Sequence, residues 1–302
     1  MKTLYVAIAL LFLYSCKKET TETIEAAPET TTTEAAPAVT LKKGNTAALI
    51  AGLIAKKKQV QSELTSLSAD EANALYDTYK NENDSILKLL EYSEQNLLDR
   101  FYTYYSTEQG EAKSPPDSIA KKEALLKSAN LEFWEIGEGY VEIRTTPHYY
   151  LNIFKGHVTK DYEEFIALMA KDDEELYSAD AGLTISFNAL GKRVLNWENF
   201  IAKNPYSKQT PGAIQIYRQY QEFYLLGMDN TPTIAFETNT FYPENIAEFK
   251  QFSTKHPNSK TVPLINAALA FKGTKDEMYS FVENTQRQLI DKIEADATPD
   301  YQ

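Results

Sequence analysis

Trp197-Glu-Asn-Phe200-Ile-Ala-Lys203-Asn-Pro205-Tyr-Ser207-Lys208-Gln-Thr-Pro211 returns later in the chain as Phe249-Lys-Gln-Phe252-Ser-Thr-Lys255-His-Pro257-Asn-Ser259-Lys260-Thr-Val-Pro263. Seven positions match in kind at a single offset of 52. Aromatics one helical turn apart pack inward, the first proline stops a helix, and the second opens the next at its first position. Each unit is therefore a helical hairpin, and the repeat sets the fold expectation: mainly α, built of helical hairpins and repeat-like helix pairs. Gly227 and Gly273 follow the second helices as C-cap candidates, and Thr274-Lys-Asp-Glu277 is a capping box opening a last helix to about Ala295.

Upstream, Asn45 or Thr46 can cap a helix through about Leu64, and Ser68-Ala69-Asp70-Glu71 is a capping box for a longer one. The longer helix carries Leu75, Tyr76, Tyr79, Ile86, Leu90, Leu97, Phe101 and Tyr104 at mostly helical spacing, with Asn81 to Ser85 as a candidate interruption. A loop over Glu108–Pro116 and a short helix over Asp117–Ser128 follow. The pattern then changes. Leu131–Ile136 and Tyr140–Arg144 are aromatic and β-branched runs joined by Gly137-Glu138-Gly139, which predicts one small central β-hairpin. Helical spacing returns at Tyr162, Phe165, Ile166 and Met169, and again from about Leu183 to Lys203.

The Asn204-Pro205-Tyr206-Ser207 and His256-Pro257-Asn258-Ser259 turns resemble those of tetratricopeptide-like helical repeats, although that family repeats every 34 residues or so. The start of the chain carries another resemblance. Lys2, the apolar run Leu4–Leu13 and Ser15 make the three parts of a signal peptide, too short to span a bilayer. Leu13-Tyr14-Ser15-Cys16 resembles a bacterial lipobox, which implies lipidation of Cys16, the only cysteine of the chain. By that resemblance the membrane is a partner through lipid, and the protein belongs to the cell envelope. Lys17, unlike the acidic residue that retains some lipoproteins in the inner membrane, implies the outer membrane. The Cys16-Lys17-Lys18-Glu19 start, and the Asp84-Ser85-Ile86 and Asp117-Ser118-Ile119 triplets, resemble exported Bacteroidota proteins, and the last makes Ser118 a glycosylation candidate.

The domain plan expected is a signal peptide over 1–15, a Thr/Glu/Pro/Ala tether over 16–43, an N-terminal helical region over 44–130, the hairpin and a connecting helix over 131–182, and the helical-repeat region over 183–302. The tether has almost nothing to bury and reads as disordered. Loss of residues 1–15 takes Lys2 with it, so the net charge of -12 becomes -12 - 1 = -13. An acidic chain with no basic, aromatic-interleaved face excludes nucleic acid as a partner. One cysteine closes no internal disulfide, so stability must come from a packed core.

Candidate chemistry is sparse. His148, His157 and His256 are spread with no metal-ligand spacing, and no phosphate loop, nucleophile elbow or Cys-His pair occurs, so no metal, cofactor or catalytic residue is assigned. Glu132, Glu135, Glu138 and Glu142 are the densest carboxylate set. Glu138, between two glycines, reads as a solvated turn residue or as a general acid or base in a pocket that raises its pKa. Tyr217, Tyr220 and Tyr224 read either as core packing or as a groove for a ligand, since tyrosine offers an apolar face and a polar tip. The leading expectation is a non-catalytic module binding an envelope protein. The alternative is a glycan-binding or glycan-active lipoprotein using exposed tyrosines with Glu138 and Glu142.

Overall fold

The computed structural model describes residues 45–297. The Asn45 side chain accepts the N–H groups of Ala47 (3.0 Å) and Ala48 (3.3 Å), and α1 (Thr46–Glu63) runs from it. Ser68 opens α2 (Ala69–Leu98) with a complete capping box, the Glu71 carboxylate taking the Ser68 N–H at 2.8 Å. Helix α2 does not break at Asn81–Ser85. Tyr79, Asn83 and Leu90 continue its buried stripe through the polar run, and the Ser85 hydroxyl is absorbed by the Asn81 carbonyl at 3.0 Å. Its end comes at Leu98, and Phe101 and Tyr104 belong instead to the separate short helix α3 (Phe101–Tyr105).

A loop leads to α4 (Asp117–Ser128), then to the antiparallel pair β1 (Leu131–Gly137) and β2 (Tyr140–Thr145). One face of this hairpin, with Leu131, Val141 and Ile143 buried, packs on α2 and α4, and α2 sends the Glu91 carboxylate to the outward Ile143 N–H at 3.1 Å. Next come α5 (Tyr149–Phe154) and α6 (Lys160–Asp172). The repeat follows as α7 (Phe187–Lys203) with α8 (Thr210–Leu226), then α9 (Pro243–Lys255) with α10 (Thr261–Ala270), and α11 (Lys275–Asp296) closes the array against α8 and α10. The fold is mainly α with a small β-hairpin.

The 52-residue offset survives as geometry. Asn204 N–H donates to Phe200 O at 2.9 Å and His256 N–H to Phe252 O at 2.8 Å, while Ser207 N–H reaches Asn204 O (3.1 Å) and Ser259 N–H reaches His256 O (3.0 Å). Trp197, Phe200, Phe249 and Phe252 all enter one apolar core that also takes Phe165, Leu190, Ile265 and Ile290. Gly227 caps α8 at φ 74°, ψ −159°, a region open to little but glycine. Gly273 does not cap α10. That helix ends on Phe271, which turns extended and stacks on Phe281 at 4.7 Å, leaving Gly273 beside the Thr274 N-cap of α11.

Between the helices lie three short hairpins: β3 (Ser178–Ala179) with β4 (Gly182–Leu183), β5 (Gly227–Met228) with β6 (Thr231–Pro232), and β7 (Ile234–Ala235) with β8 (Thr240–Phe241). Two-residue strands leave no periodic trace in a sequence, and none of these was expected. The chain segment at Leu183 is thus strand, and α7 starts at Phe187 behind the Ser186 cap.

Candidate functional site

Tyr217, Tyr220 and Tyr224 share one face of α8, and that face points into the core. Tyr217 and Tyr224 are 0% exposed and Tyr220 6%, which corrects the expectation of an open groove along them. They can be buried because each hydroxyl finds a partner inside. Tyr217 meets Thr261 at 3.0 Å and accepts from Gln221 at 2.8 Å, Tyr220 accepts from Arg193 at 3.2 Å, and Tyr224 donates to Glu248 at 3.3 Å. Burial, with the nearby Glu198 charge, raises the Tyr217 phenol above its ordinary pKa; burial and Asp172 do the same for Tyr220, and burial and Glu248 for Tyr224.

The core end of this network is Glu198, 8% exposed. Its carboxylate accepts from the Ser259 hydroxyl (2.7 Å), the Lys260 N–H (2.6 Å), the Thr261 hydroxyl (3.1 Å) and the Tyr217 hydroxyl (3.3 Å). Four donors on one carboxylate make a clamp between α7, α8 and the α9–α10 turn. The earlier turn has its own acid, Asp161, which takes the Ser207 hydroxyl at 2.5 Å.

Glu138 stands at the tip of the β1–β2 turn with φ 51°, flanked by Gly137 at φ 99° and Gly139 at φ 79°. Its backbone N–H donates to the Asp180 carboxylate, and it lines a shallow hollow of about 290 Å³ with Tyr140, Asp180 and Met228. Glu142 is exposed on β2 opposite Trp134 and does not line that hollow. Ser118 is exposed in the first turn of α4. Cys16, the signal peptide and the tether lie outside the described residues. Among the described residues no group of three or more His, Cys, Asp or Glu side chains is placed to hold a metal ion, and no helix is long and apolar enough to cross a membrane.

Two arrangements were not legible in the sequence. The first is a row of hairpin tips. The β1–β2 hairpin touches β3, β4 touches β5, and β7–β8 follows through Thr233. The row is tied together by Asn230 N–H to Ala181 O (2.9 Å), Leu183 N–H to the Thr231 hydroxyl (2.8 Å) and Asp180 O taking the Asn230 amide. Glu138, Asp180, Ala181 and Asn239 all have positive φ in these tips. Left-handed backbone costs a residue such as Glu138 or Ala181 about 1–2 kcal/mol, whereas Asp180 and Asn239 belong to types that tolerate it, so packing elsewhere must enforce the first two. From this row Phe236 and Tyr140 project, 78% and 65% exposed.

The second is a cleft of about 190 Å³ where the outer face of the β1–β2 hairpin meets α6, α7 and α8. Trp134 and Arg144 lie diagonally on that face, with the guanidinium 3.3 Å above the indole ring and held by Glu132 at 2.8 Å. On the helix side Arg193 donates to Tyr220 (3.2 Å) and to Glu175 O (2.8 Å) and lies 3.5 Å from Asp172. Burial raises the Asp172 carboxyl above the ordinary aspartate range, while the Trp197 N–H, at 2.7 Å, and the Arg193 charge hold it back.

No family model matches this chain, and neither a curated protein nor a solved structure matches it.

Proposed function

We propose that this protein is a lipid-anchored envelope lipoprotein, held on the outer membrane through Cys16 and its tether, that works as a non-catalytic protein-interaction module. One observation carries the reading: Phe236 and Tyr140 stand 78% and 65% exposed on tight hairpins fixed to a helical core. A large ring held in water on a rigid turn gains its burial only when a partner covers it, and aromatic anchors of this kind dominate the energetics of protein interfaces. Loops positioned by a rigid scaffold are where binding is generally located. The helical-repeat reading supplies that scaffold, and the N-terminal lipobox resemblance supplies the address.

The experiment is a crosslinking pull-down of the full-length protein from its own cells, with a Tyr140→Ser, Phe236→Ser double variant beside it. A reproducible envelope protein, lost from the variant, is the expected result. Identical recoveries from both would remove the hairpin row from the account. Glycan recognition through Glu138 and Glu142 has no shared pocket in its favour, since only Glu138 lines the hollow at the hairpin tip.

A further inference from the structure

We propose that the cleft between the β1–β2 hairpin and helices α6, α7 and α8 binds one neutral pyranose ring, through its aromatic walls and the Asp172 and Arg193 floor. This goes beyond the protein-interaction reading and does not rest on it. Size comes first. At about 190 Å³ the cleft is smaller than the roughly 300–1,000 Å³ of sites for drug-sized ligands, so it accepts one ring rather than a peptide segment.

Charge decides the class. Asp172, Asp173 and Glu175 line the cleft against Arg144 and Arg193, an excess of one carboxylate that disfavours a phosphate or a carboxylate ligand. Both cations are also already engaged, Arg144 by Glu132 and Arg193 by Asp172. What is offered to a ligand is therefore a mixture of acceptors and donors without a charge to neutralise, which suits hydroxyl groups. Arg193 has five N–H donors; Tyr220 and Glu175 O take two of them and the Nε faces Asp172.

The walls are aromatic. Tyr177 stands edge-on to Tyr220 at 5.2 Å, and its hydroxyl accepts from Gln219 at 3.0 Å, so its ring is fixed before any ligand arrives. Trp134 lines the cleft from the hairpin, with one face of its ring covered by Arg144. Rings of this kind meet the apolar C–H face of a sugar while fixed polar groups read its hydroxyls. The floor is buried, with Arg193 and Tyr220 at 8% and 6%, whereas Asp173, Glu175 and Gln219 are exposed at the rim, so the cleft opens to solvent on one side.

The chain has two tryptophans. Both report on the cleft, Trp134 by lining it and Trp197, 1% exposed, through its N–H to Asp172, so a ligand-dependent change in emission is read at the site. The test is a titration of the full-length protein with the methyl pyranosides of glucose, galactose, mannose and N-acetylglucosamine to tens of millimolar. Emission and saturation-transfer NMR are read together, and trisaccharides of glucose and of N-acetylglucosamine are run in parallel. We expect at least one pyranoside to saturate both signals. A trisaccharide binding at least as tightly would make the ligand the end of a glycan chain, and weaker binding would make it a free sugar. Tyr177→Ala should weaken binding by about tenfold. Asp173→Asn, at the exposed rim, should weaken it severalfold with the unfolding midpoint unchanged. No saturable signal from any probe overturns the proposal, and so does binding that keeps its affinity in both variants.

Discussion

The helix pairs have two unlike ends. At one, the Pro205 and Pro257 turns close on carboxylates from earlier helices: Ser207 on Asp161, and Ser259, Lys260 and Thr261 on Glu198. At the other, where α7 begins and α8 ends, the chain makes short hairpins with left-handed backbone and leaves Phe236 and Tyr140 in water. The first end converts polar groups into packing. The second holds left-handed backbone and two exposed rings in place over the buried Ile234 and Phe241, where the first, among the described residues, leaves Tyr206 alone exposed.

Given that division, the largest stability loss belongs to Glu198→Ala. It leaves the Ser259 hydroxyl and the Lys260 N–H without their acceptor and the Tyr217 and Thr261 hydroxyls with only each other to donate to, and should cost about 3 kcal/mol in urea unfolding. A loss no larger than that of a surface substitution would break the comparison at its closed end. Gly227→Ala comes next, at about 2 kcal/mol. Besides its φ of 74°, a Cβ there would lie 2.3 Å from Thr231 O and 2.8 Å from Thr233 N, both backbone atoms. The same unfolding experiment, with hydrogen exchange on Met228 to Phe241, would show the damage confined to the hairpins.

Ser207→Ala should cost about 1 kcal/mol and also change the pH response. Burial alone would raise the Asp161 carboxyl, but hydrogen bonds donated by Ser207 and Thr159 outweigh it and hold the group below the ordinary aspartate range. A folded pKa below the unfolded value means that Asp161 adds stability above about pH 4 and loses it as the pH falls through the folded value. The acid limb of the stability curve should therefore be flatter in Ser207→Ala than in the wild type, as read from urea midpoints in acid. Smallest of all, Phe236→Ser and Tyr140→Ser should each stay within about 0.5 kcal/mol of the wild type while changing what the protein binds.

The closed end was open to reading in the sequence and the hairpin end mostly was not. Trp197, Phe200, Pro205 and Ser207 repeat at one offset because each has a fixed job in a helix–turn–helix, and their spacing carries that job. The acids that complete the turns, Asp161 and Glu198, sit on earlier helices and keep no common offset, so only the folded chain shows them. The β1–β2 hairpin was legible through Gly137 and Gly139, which bracket alternating strands. The other three hairpins have too few residues to alternate. Tyr217, Tyr220 and Tyr224 could be read either way, as core or as groove; the partners that let them in, Thr261, Arg193 and Glu248, come from other helices. The cleft joins Trp134 of a strand to Arg193 of a distant helix, and no local pattern connects them.

The hairpin end is the surface proposed to meet a partner. A photo-crosslinking residue placed at Phe236, in the full-length protein in its own cells, tests that directly when paired with the same residue at Tyr206, which is 67% exposed in the Pro205 turn at the opposite end. The account predicts a discrete adduct with one envelope protein from position 236 and none from position 206. No adduct at 236, or the same adducts from both ends, would contradict it.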